Sequence, residues 1–430
     1  MGVELVSDGS NLEVSADGTA ALNSPDIDWW EMFADDAFLA SPYEKLSAIR
    51  EKAPVQFDPV SGIYFVLGYP EYKKLALSTD MGRDTRLWSS GWYNPENKKA
   101  DPVGYQLYNT IQPQMTNANA PHHRRMRDVF EKAFRKTDIQ ALLPMIEDEC
   151  RKLLDTLPLE QSFNFMETVA DPLSRNISKR IFNIPKSMDA DLARWVDSLS
   201  VIGNIIITPQ QKQDALKALT EFRNYVRERM ASGVDDPNDG FFGATIKAYS
   251  DGVMDEDECL NNLMTLISGG IATATLLGNG LLTLLRHPDQ FELLRRNPEL
   301  MDTAIEEMLR FEPGCSFILR VAIDDYQCGD VLIPQGALAI GLVTAIGRDS
   351  RTYRDPDRFD ITRYPNPHVV FGVGAHICIG KALVRLTARV LFNALMERFG
   401  RIELAGEPEW WKHRADQHGL NALPLTLGNA

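Results

Sequence analysis

Cysteine is scarce in this sequence, and its placement argues against two kinds of protein. The five cysteines lie far apart and show no paired spacing of the kind that marks a disulfide framework or a zinc knuckle. They are Cys150, Cys259, Cys315, Cys328 and Cys378. We therefore expect thiols in a reducing compartment, and hence a cytoplasmic protein.

Positive charge is also in short supply. Lys and Arg number 45 against 60 Asp and Glu, which gives a formal net charge of -15. A nucleic-acid-binding domain normally carries a basic stripe, so this balance argues against nucleic acid as a partner. The N-terminal stretch lacks the apolar core and preceding positive charge of a signal peptide, and we expect residues 1–28 to be a flexible tail.

No linker-like composition and no internal repeat divides the rest of the chain, so we expect residues 29–430 to form a single domain. A hydrophobic share of 44% allows a sizeable core. One apolar run, residues 263–285, has the length of a membrane span. It contains Ser, Thr, Asn and four glycines without a positive flank, which favours a buried central helix and no membrane span.

Helical periodicity dominates from residue 121 to about 399, so the sequence predicts a mainly α protein with a minor β region. Earlier, residues 29–52 predict a helix, followed by a hairpin of residues 55–57 and 63–67. Residues 88–115 are irregular and aromatic, which predicts a long functional loop. A strand-rich stretch, residues 326–343, is predicted to fold back at Pro334-Gln335-Gly336.

The most informative segment is the decapeptide Phe371-Gly-Val-Gly-Ala-His-Ile-Cys-Ile-Gly380, which precedes an amphipathic helix. A thiolate that binds iron needs backbone N–H groups directed at its sulfur, and Gly372 and Gly374 permit the tight turn that aims them. Gly380 lets the helix approach a cofactor closely, and Phe371 can shield the sulfur from water. The alternative is that Cys378 is an inert buried thiol.

This decapeptide resembles the haem-binding signature of the cytochrome P450 superfamily at each glycine, the Phe, the His and the Cys. The resemblance covers residues 29–427 and is to the soluble bacterial branch. It implies a triangular, helix-rich fold with small sheets, haem b as cofactor and Cys378 as the axial iron ligand. It also implies a monooxygenase, which inserts one atom of dioxygen into a small organic substrate.

Two further groups of residues carry the resemblance. Glu307, Arg310 and Arg363 are similar to the family's buried ion-pair network on the haem side. Four residues resemble the family's partners of the haem propionates. Buried carboxylates require cationic or N–H partners, which these residue types supply. These four are His123, Arg127, Arg320 and His376. Taken singly, each is as readily explained as a solvated charge.

The central helix departs from the family pattern at Gly269-Gly270-Ile271-Ala272-Thr273, where relatives place an acid before the Thr. Cleavage of dioxygen needs protons, and Thr273 is the candidate relay beside Gly270 and Ala272. Three sources of protons remain open: a polar group of the substrate, water from another channel, or the use of peroxide. Alternatively, Thr273 bonds its own helix backbone. A smaller departure is Thr387, where many relatives have Glu.

The resemblance places substrate recognition in residues 88–115 and 201–208, in the central helix and in the segment before Arg320. Aromatic side chains in the first region suit an apolar or aromatic guest. The lining candidates are Ile267, Gly269, Ser316, Phe317 and Ile318.

The chain holds no flavin or iron–sulfur signature, so electrons are expected from a separate ferredoxin and its reductase. We expect its acidic surface to dock a basic patch on the thiolate side, formed by Arg124, Arg125, Lys381, Arg385 and Arg389. Two other classes stay open: a haem-thiolate peroxygenase or isomerase, and a non-catalytic haem sensor.

Overall fold

The computed structural model describes residues 27–132, 134, 136–204, 206–233 and 240–429. The tail predicted for residues 1–28 lies almost wholly outside them. The α-helices, in chain order, are α1 (Trp29–Ala34), α2 (Asp36–Ala40), α3 (Tyr43–Lys52), α4 (Tyr69–Leu77), α5 (Asn97–Ala100), α6 (Pro102–Ile111), α7 (His122–Glu131), α8 (Lys136–Ala141), α9 (Leu143–Leu154), α10 (Asp171–Ile181), α11 (Asp189–Leu199), α12 (Pro209–Ser232), α13 (Gly240–Ser250), α14 (Glu256–Ser268), α15 (Gly270–Arg286), α16 (Pro288–Arg296), α17 (Met301–Phe311), α18 (Val343–Ile346) and α19 (Lys381–Arg398).

The strands are short and form small sheets. They are β1 (Val55–Asp58), β2 (Ile63–Val66), β3 (Met81–Gly82), β4 (Phe163–Asn164), β5 (Phe317–Ala322), β6 (Tyr326–Cys328), β7 (Val331–Ile333), β8 (Leu338–Leu342), β9 (Phe399–Leu404), β10 (Glu409–Trp410), β11 (Leu420–Ala422) and β12 (Pro424–Asn429). The largest sheet has the order β1-β2-β8-β5-β3, and a three-stranded sheet has the order β4-β12-β9. The predicted class, mainly α with a minor β region, is confirmed.

The N-terminal region begins with three short helices where one was predicted. Asp28 caps α1, and Asp35 ends α1 and caps α2 by accepting a hydrogen bond from the backbone N–H of Ala37. Pro42 then precedes α3. The hairpin of β1 and β2 is confirmed, with Val55 opposite Val66.

The long loop predicted for residues 88–115 is partly wrong, because it contains α5 and α6. Asp101 caps α6 by accepting a hydrogen bond from the N–H of Gly104, and Pro102 occupies the first turn. The buried positions Gly104, Leu107, Tyr108 and Ile111 follow the helical spacing. The turn chemistry of the preceding Asn and Pro residues concealed this periodicity.

The strand-rich stretch also pairs differently from the prediction. β6 pairs with β7 through a turn at Gly329-Asp330, with Cys328 opposite Val331. Pro334-Gln335-Gly336 instead separates this hairpin from β8, which pairs with β5 and β2. The sequence reasoning missed β5, because a strand covered on both sides does not alternate polar and apolar residues.

The predicted central helix is interrupted at Gly269, between α14 and α15. α15 packs against α10, α17 and α19 in the core of the protein. Residues 256–286 are long and apolar enough to cross a membrane by length and composition, but 65% of their apolar window is buried inside the fold. This burial is typical of the core helix of a soluble protein.

Candidate functional site

The cysteine loop is a closed turn that presents Cys378 to a cavity. Gly372 and Gly374 have φ of +71° and +73°, a conformation that side chains disfavour. The N–H of Cys378 donates to the carbonyl of Phe371 at 2.7 Å and closes the turn. Burial raises the pKa of the Cys378 thiol above its usual value. The N–H groups of Gly380 and Lys381, which are directed at the sulfur, offset part of this rise. The loop therefore holds donors ready for a thiolate.

A cluster of buried cationic and imidazole groups lies beside this loop. The rings of His123 and His376 are 3.9 Å apart, and Arg127 Nη1 donates to the carbonyl of Ile377 at 2.8 Å. Burial and the neighbouring Arg127 lower the pKa of His123 to about 4. Burial and neighbouring cations lower the pKa of His376 to about 2. The structure thus brings together side chains that lie far apart in the sequence.

Arg83 is a member of this cluster that the sequence reasoning missed. It donates to the carbonyls of Thr116 and Leu319, each at 3.0 Å, and lies near Arg320. Burial and Arg320 lower the pKa of Arg83 to about 10, and burial lowers that of Arg320. Within the described part of the chain, no carboxylate pairs with either guanidinium. Arg127 and the two histidines line the cavity, and Arg83 and Arg320 lie close enough to act on His376. Unneutralised cations in this position fit an anionic ligand such as the two haem propionates.

The network on the thiolate side is centred on the fully buried Glu307. Its carboxylate accepts hydrogen bonds from Arg310 at 2.7 and 2.8 Å and from Arg363 at 3.1 Å. The N–H of Asp360 and the amide of Asn366 each donate to it at 3.0 Å. Arg310 and Arg363 also donate to carbonyls of residues 347–358, so the network holds the approach to the cysteine loop in place.

The central helix faces Cys378 across a cavity of about 350 Å³. Gly269, Gly270, Ala272 and Thr273 line one wall, and residues 376–380 line another. Thr273 is 7% exposed, and its hydroxyl bonds no protein acceptor in the described residues. The hydroxyl of Thr283 on the same helix, by contrast, donates to its own backbone four residues earlier. Thr273 is therefore free to bond a guest in the cavity.

Several predicted lining residues lie elsewhere. Ile267 packs with α12 and α13 in a separate core cluster, and Phe317 lies edge-on to Phe33 at 5.2 Å in another. Ser316 and Ile318 also lie outside the cavity wall, because the chain enters β5 immediately after Cys315. Gly314 and Cys315 line the cavity in their place. The sequence reasoning did not anticipate that the chain pairs with β8 from Phe317 onward.

The predicted basic patch is largely neutralised by ion pairs within the protein. Arg124 pairs with Asp128, Arg385 with Glu306 at 2.5 Å and Arg389 with Asp302 at 2.9 Å. Arg125 turns toward α14, where it pairs with Glu258. In the described structure Lys381 has no carboxylate partner. The cationic surface is therefore smaller than the count of basic residues predicts.

A thiolate loop opposite an interrupted helix, with buried cations at the edge, defines a haem-thiolate oxidoreductase. The chain matches the model of the family Cytochrome P450 over residues 93–410 and belongs to that family. It is 30% identical over 405 residues to cytochrome P450 107B1 of Saccharopolyspora erythraea, covering 92% of this chain and 97% of that protein. It is 28% identical over 406 residues to the 6-deoxyerythronolide B hydroxylase of the same organism, covering 91% and 97%.

Solved structures share the fold. P450BioI, crystallised with an acyl carrier protein bearing hexadec-9Z-enoic acid, superposes with a TM-score of 0.83 at 28% identity and covers 91% of this chain and 100% of that one. The Bacillus subtilis biotin biosynthesis cytochrome P450 is 30% identical over 407 residues, covering 92% and 98%. The chain is thus a cytochrome P450 monooxygenase whose cofactor is haem b, and the thiol loop and cation cluster fit that cofactor.

Proposed function

We propose that this P450 inserts one atom of dioxygen into a small apolar or aromatic organic substrate, with electrons from a separate ferredoxin and its reductase. One observation carries the proposal: a single, mostly apolar cavity has the Thr273 hydroxyl on one wall and Cys378 on another. Its apolar wall includes Phe134, Ile177, Phe182, Leu266 and Leu276. Such walls favour an apolar guest fixed by a few polar groups.

The haem, when bound, supplies dioxygen activation and the oxidation of an unactivated carbon. Cys378 would ligate its iron, and the N–H groups of Gly380 and Lys381 would hold the negative charge of the sulfur. Arg83, Arg320 and the His123–His376 pair would hold the propionates. Thr273, with no protein acceptor among the described residues, would pass protons to dioxygen through its hydroxyl.

Electron delivery is proposed to use the face around the cysteine loop. Lys381 begins α19 directly after Gly380, and Arg124 is the most exposed of the candidate arginines, with 70% of its side chain exposed. Because all four candidate arginines, Arg124 included, pair with carboxylates of the protein, electrostatic steering of a ferredoxin rests on a few charges. Charge reversal by Lys381→Glu should lower the rate of reduction by ferredoxin about two- to tenfold at low salt. An unaltered rate would contradict this docking face.

A peroxide-using P450 is the second candidate, and one observation favours it. Among the described residues, no Asp or Glu lines the cavity, so no fixed acid faces the reacting centre. Peroxide brings its own protons and electrons (RH + H₂O₂ → ROH + H₂O), so its use needs no net supply of protons and no reductase. Product formed from peroxide alone, without a response to reductant, would establish this alternative.

The deciding experiment titrates the ferric, haem-loaded protein with small aromatics, terpenoids, fatty acids and macrolide lactones. A saturable low-spin to high-spin shift identifies the substrate class, because the guest displaces water from the iron. Turnover with ferredoxin, reductase and dioxygen then tests the reaction. No shift with any free compound would contradict a small guest and favour one presented on a carrier protein, as in P450BioI.

A further inference from the structure

Tyr72 of α4 is held against β8, the central strand of the largest sheet. Its ring lies on Gly341, where a Cβ would come within 2.4 Å of the ring atoms Cδ2 and Cε2. Side chains do not tolerate so close an approach, so only glycine at this position admits the ring. Tyr72 is fully buried in a core cluster with Ala339 and Val343. Packing therefore fixes the place of its hydroxyl.

The Tyr72 hydroxyl has no hydrogen-bond partner in the described structure, although it is buried. A buried hydroxyl without a partner loses the hydrogen bonds that water would give it, so such groups in native proteins normally have one. Burial raises the pKa of Tyr72, so the hydroxyl keeps its proton and can donate it to a hydrogen bond. What this hydroxyl lacks is an acceptor.

Strand pairing puts Arg320 on the face of the sheet that Tyr72 covers. Arg320 of β5 lies directly opposite Ala339 of β8 in an antiparallel pair, and side chains of directly opposed residues share a face. Ala339 and Gly341 are two residues apart on β8, so they also share that face. Arg320 is therefore a neighbour of Tyr72 on the sheet.

Arg83 joins Arg320 through the next strand. Gly82 of β3 pairs with Val321 of β5, so the following residue, Arg83, comes beside Arg320. Burial raises the pKa of Tyr72, and both guanidinium groups are close enough to offset part of this rise. In the described part of the chain neither guanidinium pairs with a carboxylate, and neither can accept a hydrogen bond from the hydroxyl. One anion would satisfy all three donor groups together.

We propose that Tyr72 donates a hydrogen bond to a haem propionate and so completes an anion site with Arg83 and Arg320. The inference rests on the proposed placement of the propionates at these two arginines. A carboxylate has several lone pairs, so it can accept from a hydroxyl and from guanidinium groups at once. A neutral donor suits this place, because a third buried cation would add repulsion between like charges. Tyr72 thus binds the cofactor directly.

The test measures how fast the ferric, haem-loaded protein loses its haem to an excess of apomyoglobin. Tyr72→Phe keeps the ring on Gly341 and removes only the hydroxyl, so the packing of the core is preserved. Haem transfer should become about tenfold faster, which is the scale of one hydrogen bond to a charged acceptor. The propionate bending vibration in the resonance Raman spectrum should shift as well.

Tyr353→Phe is the matched control, because Tyr353 is also buried and its hydroxyl also has no partner in the described structure. Its ring lies 5.2 Å from the guanidinium of Arg310, in the Glu307 network. Haem transfer and the propionate vibration in this variant should match those of the parent. Equal transfer rates in Tyr72→Phe and the parent, or an equal acceleration in both tyrosine variants, would overturn the proposal.

Arg320→Gln separates this proposal from the one on which it rests. If the arginines hold the propionates, Arg320→Gln will accelerate haem transfer whatever Tyr72 does. Faster transfer in Arg320→Gln with a parental rate in Tyr72→Phe would contradict the role of Tyr72 alone. A parental rate in Arg320→Gln would contradict the placement of the propionates, and the role of Tyr72 with it. The measurement uses neither substrate nor electron donor, so its result does not depend on whether the enzyme uses dioxygen or peroxide.

Discussion

The thiolate side and the central-helix side of the cavity differ in how completely the protein satisfies their polar groups with hydrogen bonds. On the thiolate side, the buried Glu307 has a donor for each carboxylate oxygen, and the turn to Cys378 is closed by a 2.7 Å hydrogen bond. On the central-helix side, the Thr273 hydroxyl bonds no protein acceptor in the described structure. A metal ligand needs fixed partners, whereas a proton relay needs hydroxyls that can exchange partners with water.

The largest predicted effect comes from a substitution in the fully hydrogen-bonded Glu307 network on the thiolate side. Glu307→Gln removes the charge that Arg310 and Arg363 share, and leaves two buried guanidinium groups without an anion. Losing one partner of a buried ion pair costs about 3–5 kcal/mol, and we expect a loss of this size in the free energy of unfolding. Urea unfolding of the haem-loaded protein measures it.

The control for this variant is Glu292→Gln, because Glu292 is exposed and lies 3.9 Å from Arg296. Its effect should stay below about 0.5 kcal/mol. Equal losses in the two variants would mean that burial of the network contributes nothing, and the contrast between the two sides would fail.

The second prediction concerns the central-helix side, where α10 approaches α15 closely at Gly270. Gly270→Ala places a methyl group against Ser178 Oγ and Ser174 Oγ, and overpacking of this kind costs about 1–3 kcal/mol. Adding Ser178→Ala removes the nearest clashing atom. The double variant should therefore be more stable than the sum of the two single effects, as thermal unfolding of all four proteins would show. Strict additivity would mean that α10 does not touch α15 at this point.

The same contrast explains what the sequence could predict. The cysteine loop, Glu307 with Arg310, and His123 with Arg127 are local patterns whose chemistry follows from spacing within one turn or one helix. Arg83 and the two serines of α10 could not be identified, because their roles arise only where distant segments pack together. Ser316 to Ile318 were misplaced for the same reason, since strand pairing decides which side chains face the cavity.

The internal ion pairing of the predicted basic residues has a physical reason of the same kind. Arg385 lies near Lys381 in the sequence and suggests a basic patch, yet α17 brings Glu306 against it. Ion pairing between helices is invisible to a count of charges. Composition therefore overestimated the cationic surface, whereas Cys378, His123 and Arg127 do lie together at the cavity.

The third prediction sharpens the comparison by introducing an acid on the central-helix side, at the position where relatives have one. Ala272→Asp puts a carboxyl group on the cavity wall beside Thr273. If water and hydroxyls already supply protons, this change alone should alter product per reductant consumed less than about twofold. A larger rise in product per reductant consumed would mean that proton delivery limits the parent enzyme.

The smallest effect concerns pH and the thiolate side. Burial alone would raise the pKa of Glu306, but hydrogen bonds from Arg385 and His368 outweigh burial and lower it to about 2 from 4.5. Because this pKa is depressed in the fold, its contribution to stability is fully present above pH 4.5 and is lost as the pH falls toward 2.

Unfolding by urea at pH 7, 4 and 3 should accordingly show a smaller difference between the parent and Glu306→Gln as the solution becomes more acidic. Arg385 also lies 4.6 Å above the ring of Phe371, so weakening the pair would loosen the residue that shields the sulfur. A difference that stays constant down to pH 3 would show that Glu306 is not held by its cations. The rigid side of the cavity would then depend on Glu307 alone.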